Sequence, residues 1–173
     1  MELEIVSKIS NINPIEWNKI NVNGHPFTSH EFLSSLEDSK TVSAETGWQP
    51  QHIVLKSNKK IVGALPNYLK SHSYGEYVFD HSWANAYERA GGNYYPKLIS
   101  AIPFTPVNGP RFLYNINYKE DVIKLTSQTL KNITLDNKLS SSHINFLSED
   151  CSDDLKSSDW IERIGLQFHW ENK

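Results

Sequence analysis

The chain has 173 residues, and its 17 Lys and Arg against 20 Asp and Glu give a formal net charge of −3 at pH 7. A general nucleic-acid-binding protein needs a basic field, so this balance argues against that class, and we expect no DNA partner. With 38% hydrophobic and 12% aromatic residues, the composition also argues against intrinsic disorder and indicates a single folded domain over residues 1–173.

The single cysteine and the N-terminal residues indicate the compartment. Cys151 has no second cysteine with which to form an internal disulfide, as is usual in a reducing environment. Residues 1–10, MELEIVSKIS, are charged from the second position and hold no long apolar run. We therefore expect no signal peptide, no membrane span and a cytoplasmic location.

The first part of the chain predicts one strand and two helices. Apolar and polar residues alternate over residues 3–9, as in a strand with one buried face. Asn13 followed by Pro14 is typical of a helix start, with Asn13 as the N-cap. Thr28 or Ser29 caps a second predicted helix.

The next part predicts a loop and a hairpin. Residues 41–50 contain a Gly and a Pro and form the predicted loop, and two apolar runs, at residues 52–56 and 61–69, flank a polar turn. Pro66 lies inside the second run and removes a ladder donor, so we expect the strand pairing to break there.

The rest of the chain, from residue 76 onward, predicts both strands and helices. Gly91 and Gly92 end one predicted helix. The predicted elements are strands at 76–80, 98–102, 111–114, 143–147 and 166–170, and helices at 83–90, 118–133, 150–156 and 159–164, with Asn117 capping the helix at 118–133. This order predicts an α/β (α+β) fold with a mixed sheet and helices on its faces.

Unusual chemistry is concentrated between residues 68 and 111, which hold six of the eight tyrosines. Within it, Glu76, Asp80 and His81 are candidates for general acid–base catalysis, because one member of a His–carboxylate pair can orient the other or shift its pKa. A structural polar network is the alternative. A metal site is not expected, because Glu76 and Asp80 would share one strand face while His81 points to the other.

These residues also carry a resemblance to a known family. The segments are YLKSHSYGEYVFDHSWANAYERAGGNYYPKL and IPFTPVNGPR, with HEFLSSLEDSKTVSAETGWQPQHIVL before them and QFHW near the end. They resemble the bacterial family labelled peptidoglycan biosynthesis/recognition, which is similar to Fem-type aminoacyl transferases and belongs to the GNAT acyltransferase superfamily. The resemblance implies a GNAT-like, largely antiparallel twisted sheet with helices on both faces.

The same resemblance implies a domain organisation and a donor. Full-length members of the family contain two GNAT-like modules, and this chain corresponds to about the first. Ordinary GNAT enzymes hold acyl-CoA with a Gln/Arg-x-x-Gly-x-Gly/Ala turn between a strand and a helix. The nearest match here, Arg89 to Gly92, breaks at Tyr94 and follows a helix instead, where a helix C-cap is the simpler interpretation.

The resulting expectation is an N-acyltransferase or aminoacyltransferase module that acts on a small-molecule or peptide amine, such as a peptidoglycan precursor. Acyl-CoA or aminoacyl-tRNA is the expected co-substrate, with no tightly bound cofactor. The candidate base is Glu76, Asp80 or His81, and the expected substrate-binding residues are Glu45, Trp48, His72, Tyr74, Trp83, Tyr87, Arg89 and Arg111. Alternatives are a non-catalytic peptide or muropeptide recognition module, a homodimer, and a truncated half that requires a second module.

Overall fold

A computed structural model describes residues 1–21, 24–156, 159–168 and 170–171. The strands are β1 Glu2–Val6, β2 Trp48–Pro50, β3 His52–Ser57, β4 Lys60–Leu65, β5 Tyr68–Lys70, β6 Lys97–Ser100, β7 Leu113–Tyr114 and β8 Ser142–Ile144. The α-helices are α1 Pro14–Ile20, α2 His30–Asp38, α3 His81–Arg89, α4 Lys119–Asp136 and α5 Glu149–Leu155, and 3-10 turns lie at Ile9–Asn11, Pro26–Thr28 and Ile116–Tyr118.

The strands form two four-stranded sheets, in the orders β1-β3-β4-β7 and β2-β5-β6-β8. All strand pairs within them are antiparallel except β6 with β8, which is parallel. The predicted mixed, largely antiparallel arrangement is therefore confirmed. The structure adds that the strands are divided between two sheets.

The division falls at Pro66 and Asn67, where the sequence predicts a break in pairing. β4 belongs to the first sheet, and the chain continues two residues later as β5 in the second. Asn67 is fully buried, its carbonyl accepts the Gln51 amide at 2.8 Å, and its Oδ1 accepts the Ser100 hydroxyl at 3.0 Å. One backbone and one side-chain hydrogen bond thus hold Asn67 where Pro66 interrupts the ladder.

Helices cover both faces of the first sheet. Alternate residues of β3 point to opposite sides, so Val54 joins the core under α1 and α2, whereas Ile53 and Leu55 join the core under α4. A Cβ at Gly63 of β4 would lie 2.2 Å from a methyl carbon of Val122, which shows how closely α4 approaches this sheet.

Local capping agrees with the sequence for two helices. The Asn13 side chain accepts the amides of Ile15 and Glu16, and the Ser29 side chain accepts the amide of Phe32. The prediction for α4 is wrong in detail. The helix begins at Lys119 with Tyr118 at the N-cap and without a side-chain cap, and Asn117 lies one residue earlier, inside the 3-10 turn.

Three predicted elements are wrong. Residues 76–80 are irregular, with left-handed backbone at Tyr77 (φ +55°), and residues 159–164 form no helix. Of the predicted strand at 166–170, His169 lies outside the described residues, and the described positions are not paired with any strand. Leu166, Phe168 and Trp170 are 92%, 100% and 83% exposed, so the alternating pattern finds no sheet edge here.

The helices can also be compared with what a membrane span requires. Within the described ranges, no helix combines the length and the apolar character that crossing a bilayer requires.

Candidate functional site

Residues 71–80 link β5 to α3 and turn two carboxylates inward. Glu76 is 3% exposed and Asp80 is 2% exposed. Glu76 lies between Gly75, with φ +80°, and Tyr77, with φ +55°. Left-handed backbone on both sides reverses the chain locally, and for a bulky residue such as Tyr77 this conformation is unfavourable unless its surroundings hold it.

Both carboxylates contact one buried ammonium group. Lys97, on β6, has no exposed surface, and its Nζ lies 2.9 Å from Glu76 Oε2 and 2.7 Å from Asp80 Oδ2. We call these three residues the ion cluster. A buried ion pair is weak evidence for net stability, but removing one partner leaves an uncompensated charge, so the three side chains depend on one another.

Hydroxyl groups complete the coordination of the ion cluster. Lys97 Nζ also donates to Ser73 Oγ at 3.0 Å, and Ser73 Oγ is hydrogen-bonded to Tyr95 Oη at 2.7 Å. Tyr94 donates its hydroxyl to Asp80 Oδ2 at 2.8 Å. The ammonium therefore has three oxygen partners, which matches its three donors.

A second buried lysine lies beside the ion cluster. Lys70 of β5 is paired in register with Lys97 of β6, and both have no exposed surface. Lys70 Nζ donates to the Tyr74 carbonyl at 3.1 Å and lies 3.7 Å from the centroid of the Trp48 ring. Burial lowers the pKa of Lys70 to about 7, against an opposing effect from Glu76, so near neutral pH this amine is easily deprotonated.

The two carboxylates differ electrostatically. Burial raises the pKa of Glu76, and attraction to Lys97 only partly opposes this. Burial would also raise the pKa of Asp80, but hydrogen bonds from Lys97, Ser73 and Tyr94 outweigh it and leave that pKa below its usual value. Paired groups with pKa values driven apart are typical of acid–base sites.

Each carboxylate also retains an acceptor atom without a hydrogen bond. Glu76 Oε1 and Asp80 Oδ1 are buried and have no hydrogen-bond partner within the described part of the chain. Buried polar atoms are normally satisfied, so these two oxygens are exceptions to the usual pattern.

The residues between the two acids turn outward. Five aromatic side chains, which we call the aromatic surface, are between 50% and 79% exposed: Tyr74, Tyr77, Phe79, Trp83 and Tyr87. Trp83 and Tyr87 are four residues apart on α3 and so lie on one side of that helix. Exposed aromatic rings are enriched at binding sites.

The other sequence-predicted site residues divide into two groups. His72 and His81 are near the aromatic surface, with ring centroids 5.1 Å and 6.1 Å from that of Tyr74. Glu45 is exposed in the loop before β2, and Arg89 is exposed at the end of α3.

Trp48 and Arg111 form the second group, because both are fully buried. Trp48 packs in the core with Tyr68, and Arg111 donates to the carbonyls of Asn145, Pro110 and Val107. Neither side chain contributes to the aromatic surface. The functional role of each predicted site residue remains a prediction.

Sequence reasoning missed the two lysines. Lys70 and Lys97 each stand at one end of a short strand beside aromatic residues, in YLK and YYPKL. The available signal was a lysine at one end of each of two short strands, with Glu76 and Asp80 between them in the sequence, since buried lysines need a partner. Within the described residues, no group of three or more His, Cys, Asp or Glu side chains is arranged to hold a metal ion.

The comparisons with known proteins concern the family and the fold. The model of the FemAB-like family, described as peptidoglycan biosynthesis/recognition, matches residues 8–173. A search of curated proteins found no match to this chain.

Three solved acetyltransferases are similar in structure. Aminoglycoside 6'-N-acetyltransferase AAC(6')-Ig from Acinetobacter haemolyticus is 12% identical over 100% of this chain and 99% of its own, with a TM-score of 0.52. A ribosomal-protein-alanine N-acetyltransferase from Brucella melitensis biovar Abortus 2308 is 9% identical over 97% and 100%, with a TM-score of 0.49. An aminoglycoside acetyltransferase from an uncultured soil metagenomic sample is 13% identical over 99% and 96%, with a TM-score of 0.49. The first of these likenesses shows that the fold is of the GNAT acetyltransferase type.

Replacing Lys97, the cation of the ion cluster, should strongly destabilise the folded state. Lys97→Met leaves Glu76 and Asp80 buried without a counter-charge, and we expect the free energy of unfolding to fall by about 3–5 kcal/mol in urea titrations. Lys56→Met is the control, because Lys56 pairs with Glu4 at the surface and its loss should cost less than about 1 kcal/mol. Equal losses in the two variants would show that Lys97 is not the centre of a coupled cluster.

A second prediction concerns pH. Burial, with Lys97 nearby, lowers the pKa of His143 from 6.5 to about 4. The folded state thus favours the neutral ring, so this stabilisation is complete above pH 6.5 and is lost as the pH falls towards 4. His143→Gln should remove on the order of 2 kcal/mol from the difference in unfolding free energy between these pH values. His81→Gln, at an exposed histidine, is the control, and an unchanged pH profile in His143→Gln would contradict the assignment.

Proposed function

Because this chain belongs to the FemAB-like family of peptidoglycan biosynthesis/recognition proteins, we propose that it is a GNAT-type N-acyltransferase module acting on an amine of a peptidoglycan precursor. The observation that carries the proposal is the buried Glu76, which has a raised pKa and an oxygen that accepts no hydrogen bond from the described residues, on the segment that also carries Tyr77 and Phe79 of the aromatic surface.

The reaction requires a base. The acceptor amine attacks the acyl carbon of an activated ester or thioester, a C–N bond forms, and the bond to the leaving oxygen or sulfur breaks. The amine loses one proton and the leaving group takes one up. A carboxylate whose pKa is raised towards neutrality is suited to receive the first proton and later return it.

Within this proposal the two acids have different roles. Glu76 is the base, since its Oε1 accepts no hydrogen bond from the described residues. Asp80 is held ionised by its donors and keeps Lys97 in place, which makes it a positioning residue. Glu76 is covered in this conformation. Proton transfer therefore requires a movement of this segment, and the loop positions Gly75 and Tyr77 on either side of Glu76 are where the backbone would turn.

The acceptor binds on the aromatic surface. A peptidoglycan precursor combines sugar rings with a peptide that carries amines, and its apolar faces suit exposed rings such as Phe79 and Trp83. His72 and His81, next to Tyr74, are placed to contact its polar groups. In this proposal Glu45 and Arg89 contact the periphery of the acceptor.

A second candidate function is recognition without catalysis. The observation that favours it is that Glu76 and Asp80 are 3% and 2% exposed while the rings above them are open to solvent. In that case the ion cluster would serve only to hold the aromatic surface. The expected homodimer or second module is compatible with both candidate functions and remains a prediction.

The test is transfer to a peptide that carries one free primary amine, measured by the mass of the acceptor, with acetyl-CoA and aminoacyl-tRNA offered separately as donors. Glu76→Gln preserves the shape of the side chain but cannot take up a proton, so we expect the rate to fall by about 10²–10⁴. Glu88→Gln, at an exposed site on α3, is the matched control and should transfer at the wild-type rate.

The outcomes separate the two candidates, provided that melting temperatures show each variant to be folded. Full activity in Glu76→Gln would exclude it as the base. Binding of the acceptor by calorimetry, without transfer from either donor, would support recognition and contradict the transferase.

A further inference from the structure

The start of α4 is the place where this architecture would be expected to hold a phosphate-bearing donor. α4 follows β7 of the first sheet and leads to β8 of the second, and it contacts β4, β6 and β8. The helix therefore contacts both sheets. The amides at a helix N-terminus attract phosphate, and the acyl-CoA turn of ordinary GNAT enzymes lies between a strand and a helix in the same way.

The turn that precedes α4 does not offer its amides to a ligand. Its sequence, residues 115–118, is Asn-Ile-Asn-Tyr and contains no glycine. The Asn117 amide donates to Asn115 Oδ1 at 3.1 Å, and the Tyr118 amide donates to the Asn115 carbonyl at 2.8 Å. The Lys119 amide donates to the Ile116 carbonyl. Three successive amides are thus already used within the turn.

The negative charge around this turn disfavours the binding of a diphosphate. A hollow of about 410 Å³ is lined by residues 116–121, and its first helical turn contributes two exposed acids, Glu120 and Asp121. The cation in this lining is Lys119, whose Nζ is bound by Asp154 Oδ2 of α5 at 2.8 Å. Acidic side chains in the first turn interact favourably with the positive end of the helix dipole, so they take the place that an anionic ligand would occupy.

We infer that α4 does not hold the diphosphate of an acyl-CoA, and that Glu120 and Asp121 determine donor specificity by excluding it. This inference rests on the proposed transferase function. The donor that the chain accepts is then an activated acyl or aminoacyl group whose phosphates, if it has any, do not contact the first turn of α4.

The test compares CoA with pantetheine, which has the same thiol arm and lacks the diphosphate. Each is titrated at millimolar concentration into the whole chain while the amide resonances of residues 119–122 are followed by NMR. We expect CoA to shift these amide resonances no more than pantetheine does, and the absence of a shift with either ligand also agrees with the inference. Binding of CoA in preference to pantetheine, abolished by Lys119→Ala, would overturn the inference.

A double variant tests the two acids directly. Both are exposed, so Glu120→Gln with Asp121→Asn should fold normally. Removing two like charges from the helix start should tighten CoA binding by about three- to thirtyfold and leave pantetheine unchanged. Asp136→Asn, at the other end of α4, is the matched control and should change neither. No gain for CoA in the double variant would contradict the role of the two acids.

Failure of this inference is distinguishable from failure of the proposed function. The titrations need neither an acceptor nor transfer, so they report on the α4 turn even if the chain is inactive. Transfer from acetyl-CoA that is faster than transfer from acetyl-pantetheine and is lost in Lys119→Ala would support the transferase and overturn the inference, whereas transfer from aminoacyl-tRNA alone would agree with both.

Discussion

The positive charge of Lys97 in the interior of the second sheet is the constraint on which the candidate site depends. β5 and β6 place Lys70 and Lys97 directly opposite each other, and like charges in this position are unfavourable. Glu76 and Asp80 resolve the conflict by entering from residues 71–80. The segment that carries the two acids is irregular, with left-handed backbone at Gly75 and Tyr77 on either side of Glu76. It buries Glu76 and Asp80 and leaves Tyr77 and Phe79 facing solvent.

The break at Pro66 and Asn67 gives the molecule its second organising feature. It sends one continuous run of chain into two sheets, and α4 lies across the boundary. The fold is that of acetyltransferases, but the region around Lys97 and the start of α4 differ in their charged groups. The region around Lys97 has the charges and the rings of a site for an amine acceptor, whereas the start of α4 carries acids where a phosphate-bearing donor would need free amides. The chain thus combines a shared fold with charges of its own at the start of α4.

Much of this architecture could be predicted from the sequence, because the signals are local. Asn13 and Ser29 cap their helices, Pro66 interrupts its strand, and Gly91 follows α3. Glu76 and Asp80 could also be chosen in advance, since acids amid aromatics are unusual. What failed depends on contacts between distant residues. The strand predicted at 76–80 ignored Lys97, which lies 17 residues beyond Asp80 in the chain, and the alternation at Leu166 and Phe168 predicts a strand without saying what would pair with it.

The most direct test of this account is an NMR measurement of the Lys97 side-chain ammonium in the wild-type chain. A buried ammonium with three oxygen partners exchanges its protons slowly with water, so we expect a resolved Nζ–H signal with nuclear Overhauser contacts to the rings of Tyr94 and Tyr95, whose centroids lie 5.1 Å and 5.5 Å from Nζ. An ammonium signal that is averaged with those of the exposed lysines and shows no contact to either ring would contradict the ion cluster. In that case the structural basis for the candidate site would be lost.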